Sequence, residues 1–145
     1  MQSLDILLIE DNEGDILLTT EALDEAGFIK DIVVIKDGEE AIRYLGSRAV
    51  SRKAGFPDLI LLDVNLPKKN GHEVLKFIKA NKWLRHIPVI MFSTSSADKD
   101  VFDSYDNFAN CYITKPTDIE DFQGVIESIE HFWMQVARLP NKTEF

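Results

Sequence analysis

The sequence predicts an α/β domain in which five parallel strands alternate with five helices. Two observations lead to this class. Short apolar runs alternate with amphipathic segments along the chain, which is the pattern of a parallel sheet whose strands are connected by helices. The run Leu59–Leu62 is apolar at every position, as in a strand that is buried on both faces. Helices are therefore expected on both sides of the sheet, with right-handed crossovers.

The strands are short apolar segments that end in charged or turn-forming residues. They are predicted, in chain order, at residues 4–10, 31–38, 57–63, 87–95 and 111–116. Each strand is followed within a few residues by a helical segment, so we expect short loops throughout.

The helices are predicted from apolar residues spaced three or four apart and from the residues that stop each segment. The first carries Ile16, Leu17, Thr20 and Leu23 and stops at Gly27. The fourth carries four apolar residues, Val101, Phe102, Tyr105 and Phe108. The predicted helices cover residues 11–27, 39–50, 71–86, 97–110 and about 117–140. The basic segment 46–56 is interpreted as an exposed extension of the second helix and its loop.

Length and composition predict one ordinary globular domain, with residues 1–140 forming the domain and 141–145 a short tail. A net charge of −9 argues against nucleic acid or an anionic membrane as the main partner. The single cysteine, Cys111, excludes an internal disulfide and suits a reducing compartment. No signal peptide or membrane-spanning run is visible, so a cytoplasmic location is expected.

Chemically active side chains stand where four of the strands end. Glu10 and Asp11 end the first strand, Asp63 the third, Ser93 the fourth and Lys115 the fifth. Ligand sites of open α/β sheets lie outside the carboxyl ends of the strands. If the first and third strands are neighbours, three carboxylates converge, and a cation between them would relieve their repulsion. Hard oxygen ligands on a partly open site favour Mg²⁺, and an ammonium with a hydroxyl suits a phosphoryl group.

Each of these residues also has an ordinary structural interpretation. Asp63 could cap the loop that follows it, and Glu10-Asp11 could be a helix cap with a first-turn acid. A lone strand-end serine is usually bonded to backbone, and a lone lysine is usually solvated. Independent caps would not be expected to converge, and this joint placement favours a functional site.

Four motifs resemble those of the receiver domain of two-component response regulators. They are IED at 9–11, DLILLDVNLPKKNG at 58–71, VIMFSTSS at 89–96 and CYITKP at 111–116. The resemblance covers the chain from Leu4 to about Leu139. It implies a flavodoxin-like, doubly wound (βα)5 fold with strand order 2-1-3-4-5, and a phosphorylation switch rather than an enzyme acting on an external substrate.

The resemblance also implies roles for individual residues. Asp63 would be the phosphoacceptor, supplied by a histidine kinase. Glu10 and Asp11 would bind Mg²⁺ together with Asp63 and the backbone carbonyl of Asn65. Lys115 would contact the phosphoryl group, and the peptide bond between it and Pro116 would be cis.

Further positions match the switch and the variable sites of the family. Ser93 would be the switch hydroxyl, and Tyr112 the aromatic side chain that rotates with phosphorylation. Asn65 and Ser95, two residues beyond Asp63 and Ser93, would tune hydrolysis of the phosphate.

Finer features resemble the stand-alone regulators associated with bacterial phytochromes. These are the segments LPKKNG, NCYITKP and FWMQVARLP. The histidine kinase could accordingly be a bacterial phytochrome. Two departures from the commoner family pattern are Ser93 in place of Thr and Glu10 in place of Asp, so ligation by Glu10 through a water molecule is expected.

Two other functions are compatible with the same fold, but the sequence argues against each. A phosphatase with an aspartyl nucleophile usually has a second Asp two residues on as general acid, but that position is Asn65. A flavin-binding module needs a hydroxyl- and glycine-rich phosphate loop after the first strand. The segment EDNEGD is acidic there and would repel a phosphate.

The last helix carries more apolar surface than a single sheet face requires. At 100° per residue, a core-facing stripe is formed by Phe122, Ile126, Ile129, Trp133 and Val136. Val125, Phe132 and Leu139 recur every seven residues on its flank. Receivers commonly dimerise through helix 4, strand 5 and helix 5, so a homodimer through this face is expected, although the tail could instead cover the flank.

Overall fold

A computed structural model describes residues 4–25, 29–52 and 55–140. It contains one five-stranded parallel sheet with the strand order β2-β1-β3-β4-β5. The strands are β1 Leu4–Ile9, β2 Ile29–Ile35, β3 Leu59–Leu62, β4 Val89–Ser93 and β5 Cys111–Thr114. The helices are α1 Glu13–Glu25, α2 Gly38–Ser51, α3 Gly71–Ala80, α4 Asp98–Asp106 and α5 Ile119–His131, followed by a π-helical turn at Phe132–Val136. The predicted fold class and strand order are confirmed.

The register of the strands brings their carboxyl ends to one edge of the sheet. Ile9 on β1 pairs with Leu62 on β3, and Ser93 on β4 pairs with Thr114 on β5. Glu10, Asp63 and Lys115 directly follow Ile9, Leu62 and Thr114, and Ser93 is itself one of the residues expected to form the site. Parallel strands place consecutive side chains on opposite faces, so two cores form, one on each side of the sheet.

One core lies under α2 and α3, and the other under α1 and α5. Leu7, Ile9, Ile60 and Leu62 contribute to the first, which includes Leu45 and Leu75 among others. The alternate residues Ile6, Leu8, Leu59 and Leu61 contribute to the second, with Leu23, Phe122 and Ile126. Since both faces of the central strands are covered, the unbroken apolar run of β3 has a direct structural reason.

Several predicted boundaries differ from the observed ones. Helix α3 ends at Ala80 because Asn81 adopts an extended conformation, whereas the prediction continued to residue 86. The π-helical turn adds a residue to the last turn of the final helix, and Val136 is 61% exposed rather than core-facing. The Lys115-Pro116 bond was expected to be cis, but no peptide bond in the described residues is cis. Trans is the commoner isomer before proline.

Two expectations concern residues outside the described ranges. Gly27, the predicted stop of the first helix, and the tail 141–145 both lie there. Among the described residues, no helix is long and apolar enough to cross a membrane.

Candidate functional site

Lys115 lies at the centre of a group of carboxylates at the carboxyl edge of the sheet. Its ammonium contacts Glu10 Oε1 at short range. It also lies 3.2 Å from Asp63 Oδ2 and 2.9 Å from Asp15 Oδ2. Lys115, Glu10 and Asp63 are all buried. The predicted convergence of residues from three strand ends is therefore present in the structure.

Burial and mutual contact shift the titration of this group. Burial raises the pKa of Glu10 to about 7, against the opposing effect of its hydrogen bond to Lys115, and the charge of Asp63 adds to the increase. Burial lowers the pKa of Lys115, but hydrogen bonds to Asp15 and Glu10 and the charge of Asp63 outweigh it, so the pKa is raised overall. The lysine is thus a permanent cation beside Asp63.

Three carboxylates form a candidate site for a divalent metal ion. Oxygens of Glu10, Asp11 and Asp63 all lie within 4.8 Å of one another. Glu10 and Asp63 are buried and Asp11 is exposed, so the group opens to solvent on one side. Hard oxygen donors on an open site suit a small divalent cation that retains several of its waters. The residues present therefore fit such an ion.

Backbone contacts fix the position of Asp63 and of the loop that follows it. The Asp63 N–H donates to the Ile9 carbonyl at 3.0 Å, and Gly71 N–H donates to Val64 O at 2.8 Å. A β-carbon at Gly71 would lie 2.1 Å from the Asp63 carbonyl oxygen, and one at Gly38 would lie 1.8 Å from the Lys69 carbonyl oxygen. Glycine at both positions lets α2 and α3 approach the loop closely.

Asn65 lies in the loop immediately beyond Asp63. Its side chain is exposed, and its N–H donates to Asp63 Oδ1 at 3.4 Å. The two oxygens of the Asp63 carboxylate therefore have different partners, Asn65 N–H on Oδ1 and Lys115 on Oδ2. This arrangement fixes the plane of the carboxylate.

The expected switch residues lie together beside β4 and β5. The Ser93 side chain is buried, and its hydroxyl accepts a 3.3 Å hydrogen bond from the Ser95 N–H. Tyr112 is half-buried and donates its hydroxyl to the Ser95 carbonyl at 2.8 Å. A loop between β4 and α4 thus connects the two predicted switch side chains.

Sequence reasoning missed Asp15, whose carboxylate is the third to accept a hydrogen bond from Lys115. It also missed a contact between His72 Nε2 and Asp100 Oδ1, which are 3.2 Å apart. In the predicted helix 11–27, Asp15 lies four residues after Asp11 and would share its face, although α1 begins only at Glu13 in the structure. That spacing could have placed Asp15 at the site. No comparable signal joins His72 and Asp100, because they belong to different helices.

The predicted interface residues are divided between two places. Val125 and Phe132 line a groove of about 610 Å³ between β5 and α5, and Phe132 is 48% exposed. Leu139 follows the helical region and lines a different hollow, together with Phe56 and His86. The heptad spacing of the sequence assumed one straight helix, and the π-helical turn ends that regularity before Leu139.

The five-stranded α/β fold and the acidic, lysine-containing cluster at its strand ends agree with the receiver domain that the sequence resembles. The family model described as the response regulator receiver domain matches residues 6–127. The chain therefore belongs to the response regulator receiver domain family. In this family, signals pass by phosphorylation of an aspartate.

Curated and structural relatives are regulators of the same family. Response regulator Rcp1 of Synechocystis sp. is 39% identical over 135 residues, which cover 93% of this chain and 92% of Rcp1. The structure of the phosphorylated cyanobacterial phytochrome response regulator RcpA is 45% identical, with a TM-score of 0.90, and the match covers 96% of this chain and 99% of RcpA.

A third comparison bears on the metal site. The Mn²⁺-bound form of Rcp1 is 38% identical, with a TM-score of 0.88, and the match covers 95% of this chain and 99% of that one. The acidic cluster of this chain is in keeping with a divalent metal site in such a relative. The resemblance to phytochrome-associated regulators that the sequence indicated is confirmed.

Proposed function

We propose that Asp63 accepts a phosphoryl group from a histidine kinase in an Mg²⁺-dependent step. The observation that supports this proposal is the convergence of Lys115 with Glu10, Asp11 and Asp63 at one edge of the sheet. In the transfer, a carboxylate oxygen of Asp63 forms a bond to phosphorus while the bond from phosphorus to the kinase imidazole nitrogen breaks. The product is a mixed anhydride on Asp63 and a free histidine on the kinase.

The chain's own groups have separate parts in this step. Lys115 places a positive charge within hydrogen-bonding distance of Asp63 Oδ2, where it attracts a phosphoryl oxygen. Asn65 N–H holds Oδ1 and so orients the carboxylate for attack. Bound by Glu10, Asp11, Asp63 and the Asn65 carbonyl, Mg²⁺ would neutralise negative charge on the phosphoryl oxygens.

Intact mass spectrometry after incubation with acetyl phosphate and Mg²⁺ tests the assignment. The wild type is expected to gain one phosphoryl group, and Asp63→Asn none. Asp15→Asn is the matched control, because it removes another carboxylate that contacts Lys115 and should still be labelled. Full labelling of Asp63→Asn, or labelling of the wild type without any divalent ion, contradicts the proposal.

Ser93 and Tyr112 are proposed to transmit the phosphorylated state. Ser93 is buried on β4, one strand away from Asp63, and its hydroxyl would donate to the new phosphoryl group. Because the Ser93 hydroxyl accepts from Ser95 N–H and Tyr112 donates to Ser95 O, movement of this loop changes the position of both. Ser93→Ala should leave labelling possible and abolish the change in Tyr112 fluorescence or chemical shift on phosphorylation.

Asn65 and Ser95 are proposed to set the rate of dephosphorylation. Asn65 is two residues beyond Asp63, and Ser95 is two residues beyond Ser93. The backbone N–H of Asn65 donates to the Asp63 carboxylate, and that of Ser95 donates to the Ser93 hydroxyl. Exchange of either side chain should change the half-life of the aspartyl-phosphate without unfolding the domain. Unchanged half-lives in both variants would refute this part of the proposal.

The kinase partner is proposed to be of the bacterial phytochrome type, acting in the cytoplasm. Support comes from relatives such as RcpA, a cyanobacterial phytochrome response regulator. Transfer from a radiolabelled, autophosphorylated phytochrome kinase should be fast, and transfer from an unrelated histidine kinase should be much slower. Equal rates from both kinases would contradict the pairing.

A homodimer through α4, β5 and α5 is the proposed assembly. Phe132 stacks edge-on against Trp133, with ring centroids 5.1 Å apart, at the groove that Val125 also lines. Phe102 and Tyr105 on α4 are also exposed, and the Tyr105 hydroxyl accepts from Tyr112 N–H on β5. Clustered aromatic groups on an acidic protein are typical of an interface.

Light scattering with and without phosphodonor tests the dimer. Phe132→Glu should give a folded monomer, because it places a charge at the centre of the apolar surface. Val50→Glu is the matched control, since Val50 is exposed on α2, away from this face. A wild type that remains monomeric at high concentration in both states would exclude the homodimer.

A further inference from the structure

His72 joins the start of α3 to the first turn of α4 at the edge of the site. Its Nε2 lies 3.2 Å from Asp100 Oδ1, and the two side chains are 15% and 29% exposed. The other oxygen of the same carboxylate, Oδ2, accepts a 2.5 Å hydrogen bond from the Ser95 hydroxyl. A single carboxylate therefore connects α3, α4 and the loop that follows β4.

The Ser95 residue has all of its polar groups engaged. Its hydroxyl donates to Asp100 and accepts from Ala97 N–H at 3.3 Å. Its N–H donates to the Ser93 hydroxyl, and its carbonyl accepts from Tyr112. The side chain proposed to influence hydrolysis is thus held by α4, and its hydroxyl proton cannot be donated to a water molecule while this bond persists.

The Asp100 carboxylate depends on these two partners for its position. The N-cap residue of α4, Ala97, has no side-chain capping bond, so Asp100 and Ser95 anchor the start of the helix. The hydrogen bond from Ser95 lowers the pKa of Asp100. Burial raises this pKa, but the hydrogen bond from His72 lowers it further, so the pKa is lowered overall. An ionised carboxylate only accepts, so His72 donates through Nε2–H.

Among the described residues, His72 is held by one polar contact, its bond to Asp100. Its Nδ1 is buried and has no hydrogen-bond partner in the described part of the chain, so the bond to Asp100 is the polar contact that orients the ring. This histidine lies beside Gly71, the residue whose close approach fixes the Asp63 backbone. The contact therefore links the loop after Asp63 to the loop that carries Ser95.

We propose that His72 is a positioning residue that sets the lifetime of the aspartyl-phosphate by acting through Asp100 on Ser95. The inference rests on the proposed role of Asp63. In hydrolysis, a water oxygen bonds to phosphorus, the bond from phosphorus to the Asp63 oxygen breaks, and inorganic phosphate leaves. With His72 removed, the Asp100 carboxylate can turn, and the Ser95 hydroxyl becomes free to hydrogen bond to the attacking water.

Nuclear magnetic resonance of the unphosphorylated protein tests the physical link on its own. In His72→Ala, the Ser95 and Ala97 amide signals should shift, and Ala97 N–H should exchange several-fold faster with solvent. Lys76→Ala, an exposed change on the same helix, should leave both signals in place. Unchanged Ser95 and Ala97 signals in His72→Ala would overturn the proposal, whether or not Asp63 is phosphorylated.

A double-mutant cycle on the phosphorylated protein tests the consequence. His72→Ala should shorten the phosphate half-life about fivefold, the factor that one ordinary hydrogen bond supplies. In a Ser95→Ala background, His72→Ala should change the phosphate half-life by less than about twofold. His72→Gln keeps a hydrogen-bond donor and should therefore retain most of the wild-type half-life.

The two possible failures of this cycle are distinct. The positioning role would be overturned if His72→Ala changed the phosphate half-life by the same factor in the wild-type and Ser95→Ala backgrounds. It would also be overturned if His72→Ala left the half-life of the wild-type background unchanged. A wild type that forms no aspartyl-phosphate would instead refute the assignment of Asp63, and the amide signals would still decide whether His72 controls Ser95.

Discussion

Gly71→Ala is expected to displace the backbone that carries Asp63. The new β-carbon would lie 2.1 Å from the Asp63 carbonyl oxygen and 2.8 Å from Val64 Cα. Both neighbours are backbone atoms, so no side chain can rotate to make room. Since β-carbons essentially never approach another atom closer than 3.0 Å, the backbone must move by about 0.9 Å, the difference between 3.0 and 2.1 Å.

The loss of folding stability in Gly71→Ala follows from this clash to an order of magnitude. Overpacking of a buried position costs about 1–3 kcal/mol, and the upper end applies because the contact is with backbone. Alanine recovers up to ~1 kcal/mol through its better helix propensity. The net loss is therefore about 2 kcal/mol, which lowers the melting temperature by roughly 6 °C. A shift of about 1 Å at a reacting group can slow a reaction ~100-fold, so phosphorylation should slow at least ~10-fold.

The assay compares Gly71→Ala with Gly46→Ala by thermal unfolding and by the rate of labelling with acetyl phosphate. Gly46 lies within α2, and its β-carbon would meet Phe77 Cζ at an ordinary 3.5 Å. Gly46→Ala should therefore be as stable as the wild type or more stable, and should be labelled at the normal rate. A Gly71→Ala protein with wild-type stability and wild-type labelling would refute the reasoning.

Three further changes have expected outcomes that follow from single contacts. Lys115→Met leaves the buried carboxylates of Glu10 and Asp63 without their counter-charge. Denaturant unfolding without Mg²⁺ should therefore show that the free energy of unfolding falls by about 3–5 kcal/mol, and the fall should be smaller with Mg²⁺. Asn70→Ala removes the capping box of α3 and should cost about 1 kcal/mol in the same assay. Burial, with the charge of Lys79, lowers the pKa of His86 below 6.5. The unfolded chain then binds the proton more readily, so stability should fall as the pH drops through 6.5, and it should fall less in His86→Gln.

The sequence was sufficient for the fold because the strands are defined by local patterns. The all-apolar run Leu59–Leu62 is fully buried, and the side chains at the strand ends converge because parallel strands share one carboxyl edge. The predicted extension of the second helix is present, since α2 continues to Ser51 before Arg52 turns into the left-handed region, but Ala49 and Phe56 within the segment 46–56 are buried rather than exposed.

Features that depend on packing between distant elements could not be predicted in this way. In α4 the buried residue is the polar Ser104, while Phe102 and Tyr105 on the helix and Phe108 just after it are exposed, the reverse of what hydrophobicity alone suggests. The π-helical turn at Phe132–Val136 changes the helix phase, and no local residue preference indicates it. The contact between His72 and Asp100 joins two helices whose relative placement only the folded sheet determines.

The position of the phosphoryl group on the chain tests the central claim most directly. After labelling with acetyl phosphate and Mg²⁺, reduction with borohydride converts an aspartyl-phosphate to homoserine, and peptide sequencing by mass spectrometry locates it. Conversion at Asp63 alone is predicted, because this carboxylate is the one held between the Asn65 N–H and the Lys115 ammonium. Homoserine at Asp11 or Asp15, with Asp63 unchanged, would contradict the account.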